Sequence, residues 1–185
     1  SQEAKAFTLE ILKEMKRYQT KWTELYDIWF SIYSTPSESL TDRFCRLDQE
    51  RFGDIEDITD KGYYQNSFHY DVRKDVTPFE KLDFEKDYPY YASGGFIHYC
   101  EYPKLQHNLK ALEAVWDYSY DKVGYLGTNI PIDHCYECDY DGDFEATEKG
   151  FKCPNCGNDN PKTVDVVKRT CGDLGNPVQR PVIKG

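Results

Sequence analysis

The chain has 185 residues and carries 23 Lys plus Arg against 33 Asp plus Glu, which gives a formal net charge of -10. This acidity argues against nucleic acid as a partner, because a protein that tracks phosphates needs a basic surface. No apolar run reaches the roughly 18 residues that a membrane-spanning helix requires, so we expect no membrane contact. The 16% aromatic content is too high for a disordered acidic chain and indicates a folded protein.

Cysteine usage points to a metal site and a reducing compartment. The seven cysteines are an odd number, and four of them form two Cys-x-x-Cys pairs. A secreted disulfide scaffold would more often show an even number at higher density. We therefore expect a metal bound by thiolates, further free thiols and a cytoplasmic location.

The N-terminal residues 2–33 predict a long amphipathic helix. Apolar side chains recur there in steps of three and four, which places them on one face of a helix. The stripe comprises Phe7, Ile11, Met15, Tyr18, Trp22, Leu25, Trp29 and Ile32. We expect this face to pack against the core and to carry no site of its own.

A capping pattern predicts a second helix over residues 36–47. Thr35 suits the N-cap and Glu38 the third residue of a capping box. The free backbone amides of such a first turn also bind phosphate, so the pattern alone leaves a plain cap and a phosphate site open. The candidate phosphate-binding residues are Thr35, Ser37, Glu38 and Ser39.

Residues 48–91 are charged and rich in Tyr, and they predict loops and short elements. The pair Gly94-Gly95 that follows indicates close approach to another part of the chain, because glycine lacks a Cβ.

A strand, a helix and a second strand are predicted over residues 96–100, 103–120 and 125–126. This order is typical of a parallel α/β sheet or barrel, because parallel strands need a crossover connection. The single His and Cys side chains near this unit are interpreted as satisfied core groups rather than ligands: His98, Cys100 and His107.

Residues 133–160 contain the strongest local motif, two Cys-x-x-Cys pairs separated by 14 residues. This spacing predicts a tetrahedral Zn²⁺ site with a structural role, since four thiolates leave no open position for catalysis. Iron in a rubredoxin-like centre, unligated or redox-active thiols, and His134 in place of one Cys remain alternatives. The predicted ligands are Cys135, Cys138, Cys153 and Cys156.

The C-terminal residues resemble a known family. A short predicted strand, 163–167, is followed by Arg169-Thr170-Cys171-Gly172-Asp173-Leu174-Gly175. A four-cysteine ribbon followed by Arg-x-Cys-Gly-x-Leu-Gly resembles the anaerobic, class III ribonucleoside-triphosphate reductases. Segments 34–40, 93–102 and 124–129 also resemble that family, so the resemblance covers essentially the whole chain.

The resemblance implies an α/β fold, the C-terminal part of a glycyl-radical-enzyme α/β barrel with an inserted four-cysteine zinc ribbon. Residues 1–132 would belong to the barrel, 133–160 to the ribbon, and 161–185 to the glycyl radical loop and the C-terminal tail. The barrel would need a helix N-terminus for the substrate triphosphate, which favours the phosphate interpretation of Thr35, Ser37, Glu38 and Ser39.

By the same resemblance, Gly172 stores the glycyl radical. A radical on Cα is delocalised over the flanking amide and carbonyl, and only a residue without Cβ flattens there unhindered. The family implies that an activase with S-adenosylmethionine and an iron-sulfur cluster generates this radical, and that a cysteine thiyl radical then attacks the ribose.

The resemblance also implies partners. The family is several times longer than this chain, so the upstream portion with the thiyl cysteine is needed and the chain alone should be inactive. The complete enzyme would be a homodimer that converts ribonucleoside triphosphates to deoxyribonucleoside triphosphates for DNA replication under anaerobic conditions. A non-catalytic zinc-ribbon adaptor and a rubredoxin-like electron carrier are the alternatives.

Overall fold

A computed structural model describes residues 2–35, 40–71, 73–105, 107–170 and 173–177 of the chain. The helices α1 to α4 span Gln2–Tyr26, Leu40–Phe52, Pro78–Glu85 and Leu109–Ser119. The strands β1 to β9 span His98–Glu101, Leu126–Asn129, Asp133–Cys135, Tyr140–Gly142, Glu145–Thr147, Gly150–Lys152, Val164–Asp165, Lys168–Thr170 and Asp173–Gly175. This mixture agrees with the predicted α/β class. Within the described ranges, no helix is long and apolar enough to cross a membrane.

The chain forms two compact units, each assembled from separate stretches of sequence. The first comprises Ser1–Thr35, Gln65–Tyr99 and Glu113–Gly127. The second comprises Pro36–Tyr64, Cys100–Leu112 and Thr128–Gly185, and it contains the four-cysteine cluster. The domain boundaries expected after residues 132 and 160 stay a prediction.

The predicted strand, helix and strand are present as β1, α4 and β2, and the two strands pair. The His98 amide donates to the Tyr125 carbonyl at 3.0 Å, and the Tyr102 amide donates to the Asn129 carbonyl at 2.8 Å. Both bonds have the same offset along the chain, as in a parallel pair. Helix α4 begins at Leu109, so the prediction that it opens at residue 103 is wrong.

Helix α1 ends at Tyr26 rather than at residue 33, and Asp27 follows with a φ of 52°. This left-handed conformation stops a helix because it directs the chain away from the helical path. The predicted core face of α1 is exposed, with 68% of Phe7 and 64% of Leu25 accessible. The expectation that it packs against the core is therefore wrong within this chain. An amphipathic pattern shows that a helix face needs an apolar partner, but it does not show which segment supplies that partner.

The glycine pair lies against another backbone segment, as predicted. The Gly94 amide donates to the Ile32 carbonyl at 2.7 Å, and the Ser34 amide donates to the Gly95 carbonyl at 2.9 Å. A Cβ on Gly94 would stand 2.7 Å from the Cβ of Tyr33. Only glycine allows this approach, because no other residue could lie so near without displacing the neighbouring chain.

Helix α3 lies within the stretch that was predicted to be loops and short elements. The Thr77 hydroxyl accepts from the Glu80 amide at 3.3 Å, and the Glu80 carboxylate accepts from the Thr77 amide at 2.8 Å. These reciprocal bonds form a capping box, and Pro78 follows the cap. The last residue of α3, Glu85, is fully buried and accepts from the Tyr70 amide at 2.7 Å.

Candidate functional site

The four predicted metal ligands are brought together. Their sulfur atoms all lie within 4.8 Å of one another, and the pairs Cys135–Cys156 and Cys138–Cys153 are each separated by 3.6 Å. Four sulfurs around Zn²⁺ at about 2.3 Å stand about 3.8 Å apart in a tetrahedron. The residues present therefore fit a tetrahedral metal ion.

Each Cys-x-x-Cys pair is folded into a tight turn that a left-handed residue closes. The Asp139 amide donates to the Cys135 carbonyl at 2.8 Å, and Asp139 has a φ of 59°. The Gly157 amide donates to the Cys153 carbonyl at 2.9 Å, and Gly157 has a φ of 78°. Both turns direct two sulfurs to the same side, which is what a shared ion requires.

A small apolar core supports the sulfur cluster. The strands β4, β3 and β7 form an antiparallel sheet in that order, and Cys135 ends its central strand. The buried residues of this core are Cys135, Phe144, Cys153, Val164 and Val166. Because two of the predicted ligands belong to the core, a bound metal ion would be coupled to the folding of this segment.

The charges around the sulfurs favour a bound cation. Burial would raise the pKa of Cys135, but the Asn158 side-chain amide and nearby backbone amides lower it to about 6. The backbone amide of Asn158 lowers the pKa of Cys156, but the neighbouring cysteines and burial raise it to about 12. A thiolate at Cys135 therefore opposes ionisation of its neighbours, and a divalent cation relieves that repulsion.

A hairpin that the sequence pattern did not predict follows the ribbon. Strands β8 and β9 pair antiparallel, with Lys168 opposite Gly175, Arg169 opposite Leu174 and Thr170 opposite Asp173. Cys171 and Gly172 lie between these strands in the sequence and outside the described residues. The role of Gly172 stays a prediction.

Polar side-chain contacts hold the start of this hairpin. Lys168 places its ammonium 2.5 Å from the buried carboxylate of Asp133. Arg169 donates through Nε to the side-chain oxygen of Asn129 at 2.6 Å, and Asn129 donates to the Glu101 carboxylate at 2.6 Å. These residues were not singled out from the sequence, because a single charged or amide residue beside a strand has no recognisable spacing.

The predicted phosphate site lies only partly within the described residues. Thr35 is exposed, and its carbonyl accepts from the Ser67 hydroxyl at 3.1 Å. Ser37, Glu38 and Ser39 lie outside the described residues. Helix α2 is described from Leu40 to Phe52, so the predicted end at residue 47 is wrong.

Of the three side chains that were expected to be core groups, two are buried and one is exposed. His98 and Cys100 are buried, as predicted, and His98 pairs with Glu85 at 2.6 Å. His107 is exposed, so its interpretation as a core group is wrong. It lies in the irregular segment before α4, which was predicted to be helical and therefore to present a buried face.

Comparison with known proteins gives a consistent result. The family model described as anaerobic ribonucleoside-triphosphate reductase matches residues 1–180. The anaerobic ribonucleoside-triphosphate reductase of Haemophilus influenzae is 58% identical over 177 residues, which are 96% of this chain and 25% of that protein. Its namesake from Escherichia coli is 55% identical over 185 residues, which are 100% of this chain and 26% of that protein.

A solved structure shows the same fold. The anaerobic ribonucleotide reductase from Thermotoga maritima with MES in the active site has a TM-score of 0.69 at 18% identity. The likeness covers 96% of this chain and 28% of that one. This chain spans about a quarter of the length of the curated relatives it matches.

Proposed function

Because the chain belongs to the anaerobic ribonucleoside-triphosphate reductase family, we propose that it is the radical-bearing C-terminal part of such an enzyme. The complete enzyme would convert ribonucleoside triphosphates to deoxyribonucleoside triphosphates and so supply precursors for DNA replication. The observation that carries the proposal is the family match over residues 1–180, which includes the Cys-Gly sequence between β8 and β9.

Gly172 is the proposed radical residue. An activase would use S-adenosylmethionine and an iron-sulfur cluster to take the hydrogen atom from its Cα. The resulting glycyl radical would later accept a hydrogen atom from a cysteine thiol of the upstream portion, which restores the Cα–H bond and leaves a thiyl radical for the ribose. The short antiparallel hairpin supports this role, since it flanks Gly172 with backbone pairing on both sides.

Zinc is the proposed metal of the four-cysteine cluster. The sulfur separations of 3.6 Å support a tetrahedral ion bound by Cys135, Cys138, Cys153 and Cys156. With all four positions taken by protein, the ion would stabilise the ribbon and would not contact substrate. Elemental analysis separates zinc from the iron of a rubredoxin-like centre.

The upstream portion of the reductase is the proposed partner of the exposed α1 face. This face and the returning segment after α1 form an open groove of about 700 Å³. Its apolar lining includes Ile11, Met15, Trp22 and Phe30. The curated relatives contain about three times as much further sequence, which would supply apolar surface of the required size. The complete enzyme is proposed to be a homodimer.

The substrate triphosphate is proposed to bind at residues 35–39. Helix α2 begins at Leu40 in the described residues, directly after this segment. Backbone amides at a helix N-terminus attract phosphate through hydrogen bonds and the helix dipole. The proposed contacts come from Thr35, Ser37, Glu38 and Ser39.

Oxygen cleavage tests the radical role. The chain is assembled anaerobically with its upstream portion, treated with activase and S-adenosylmethionine, exposed to air and weighed by intact mass spectrometry. We expect truncation at Gly172 that is absent from the Gly172→Ala variant. An uncut chain in a complex shown to be assembled and activated would contradict the radical role and favour the zinc-ribbon adaptor.

A further inference from the structure

We infer that Asp133 is a positioning residue that holds the β8–β9 hairpin on the metal ribbon and thereby sets where Gly172 is presented. The inference rests on the proposed radical role of Gly172. It adds to that role a residue whose side chain lies outside the hairpin and outside the set of metal ligands.

The Asp133 carboxylate is fully buried. It accepts hydrogen bonds from both sides of the junction between the ribbon and the β8–β9 hairpin. On the ribbon side, Oδ2 accepts from the Phe144 amide at 2.9 Å. On the hairpin side, Oδ1 accepts from the Val167 amide at 2.9 Å, and Oδ2 accepts from the Lys168 ammonium at 2.5 Å. One carboxylate therefore joins the ribbon to the residues at which β8 begins.

Because the Asp133 carboxylate is buried, this junction favours one position of β8 relative to the ribbon. An ionised carboxylate removed from water is stable only where its oxygens keep their hydrogen-bond donors. A shift of β8 relative to the ribbon would separate Asp133 from Val167 and Lys168 and leave the charge without them. The favoured arrangement is therefore the one in which the hairpin stays in place.

Side-chain contacts matter here because the hairpin is short. Strands β8 and β9 have three residues each, and an isolated two-stranded hairpin is marginally stable at best in water. Lys168 also pairs with Asp143, and the next residue, Arg169, contacts Asn129. Successive side chains of a strand point to opposite faces, so Lys168 and Arg169 anchor β8 from both sides.

Position matters for a residue that exchanges a hydrogen atom with a thiol on another segment. Such transfers depend steeply on the distance between the reacting atoms, and a displacement of about 1 Å is able to cost about 100-fold in rate. Gly172 follows Lys168 closely in the sequence. A displacement at the start of β8 would therefore also displace the radical residue.

The test compares Asp133→Asn and Lys168→Met in the complete reductase with its activase. Asp133→Asn replaces one acceptor oxygen by a donor that faces other donors. Lys168→Met removes the side-chain link from β8 to Asp133, together with the pair with exposed Asp143, and keeps the Val167 amide bond. Asp141→Asn is the matched control, because this exposed ribbon carboxylate contacts His134 at 2.7 Å and makes none of the Asp133 contacts. Zinc per chain, glycyl radical by electron paramagnetic resonance, turnover per radical and KM for the nucleotide are measured.

We expect both variants to keep zinc and to lose about tenfold or more in turnover per radical, with little change in KM. The effects of the two substitutions should be less than additive in the double variant, because both remove the contact between Asp133 and Lys168. Counting turnover per radical separates positioning from the efficiency of activation. Asp141→Asn should match the unmodified enzyme.

Unchanged turnover per radical in both variants would overturn the inference and leave the radical role intact. Loss of zinc from both would also overturn it, since Asp133 and Lys168 would then maintain the metal site itself. If Asp133→Asn does not fold, Lys168→Met alone decides. Absence of any Gly172 radical from the unmodified, activated enzyme would instead contradict the proposed function.

Discussion

The carboxylate of Glu85 and the imidazole of His98 are both fully buried, and Oε2 of the first lies 2.6 Å from Nδ1 of the second. Lys81 adds its ammonium 2.5 Å from the other carboxylate oxygen. Burial alone would raise the pKa of Glu85, but hydrogen bonds with His69 and His98 and the charge of Lys81 hold it far below its ordinary value. The ionised carboxylate therefore joins α3 to β1 inside the first unit.

Replacing this carboxylate should weaken the first unit. Glu85→Gln removes the charge that Lys81 and His98 face, and we expect a loss of about 2 kcal/mol in the free energy of unfolding. Denaturant unfolding, with hydrogen exchange of the β1 amides as the readout, measures the change. Glu113→Gln is the control, since it makes the same change at an exposed position of α4. Equal effects of the two substitutions would contradict a structural role for the buried pair.

The stability of the first unit should fall in acid in two stages. Burial lowers the pKa of His98 below its ordinary 6.5 despite Glu85, so stability is lost as the pH falls through 6.5 and the unfolded chain takes up a proton. The lowered pKa of Glu85 contributes stability that is complete above pH 4.5 and is lost below it.

Thermal unfolding between about pH 8 and about pH 4 checks both stages. The midpoint should decline from near pH 6.5 and more steeply below pH 4.5. The Glu85→Gln variant should lose most of the second stage because the buried carboxylate is gone, and only the exposed carboxylates with lowered pKa, such as Glu80 and Asp83, still contribute to it. A steep second stage that persists in this variant would show that other groups cause it.

Adding a methyl group at Gly94 should destabilise the chain. The new Cβ would stand 2.7 Å from the Cβ of Tyr33 and 3.0 Å from the Ile32 carbonyl, and neither atom is the end of a flexible side chain. We expect Gly94→Ala to cost about 1 to 3 kcal/mol, as overpacking usually does. Thermal unfolding measures it beside Gly124→Ala, whose new Cβ meets nothing within 4 Å. A smaller effect at Gly94 than at Gly124 would contradict the close approach.

Loss of one proposed metal ligand should disorder the ribbon. Cys153→Ser removes a fully buried sulfur from the cluster, so we expect less than one zinc per chain and faster hydrogen exchange over residues 133–166. Cys45→Ser is the control, because Cys45 is equally buried but contacts the Thr59 carbonyl outside the cluster. Full zinc content together with unchanged hydrogen exchange in Cys153→Ser would contradict the role of Cys153 as a ligand.

Patterns that repeat along the chain predicted the local structure well and its partners poorly. The steps of three and four correctly predicted the helix α1, but its apolar face is exposed in this chain. The capping signature at Thr77 to Glu80 was missed among charged residues, although the same signature was noted at Thr35 to Glu38. Periodicity is a property of one element, whereas packing depends on segments that are distant in sequence.

The candidate site likewise contains residues that the sequence predicted and residues that it did not. The cysteines were recognised because a tetrahedral ion imposes a fixed spacing on its ligands, and their sulfurs do converge. Asp133 and Lys168 were not recognised, since 34 residues separate them in the chain and nothing in either neighbourhood indicates that they meet. Their contact arises because β3 pairs with β7. This pairing brings Lys168, at the start of β8, beside Asp133 at the start of β3.

The uneven burial of the four sulfurs gives the ribbon one side that is open to oxidants. Cys156 is exposed, whereas Cys135 and Cys153 are buried. Once no cation separates the sulfurs, peroxide or dioxygen that oxidises Cys156 has the Cys135 sulfur 3.6 Å away as a partner for a disulfide. Air would then damage this chain twice, by destroying the proposed radical and by closing the proposed metal site with a disulfide.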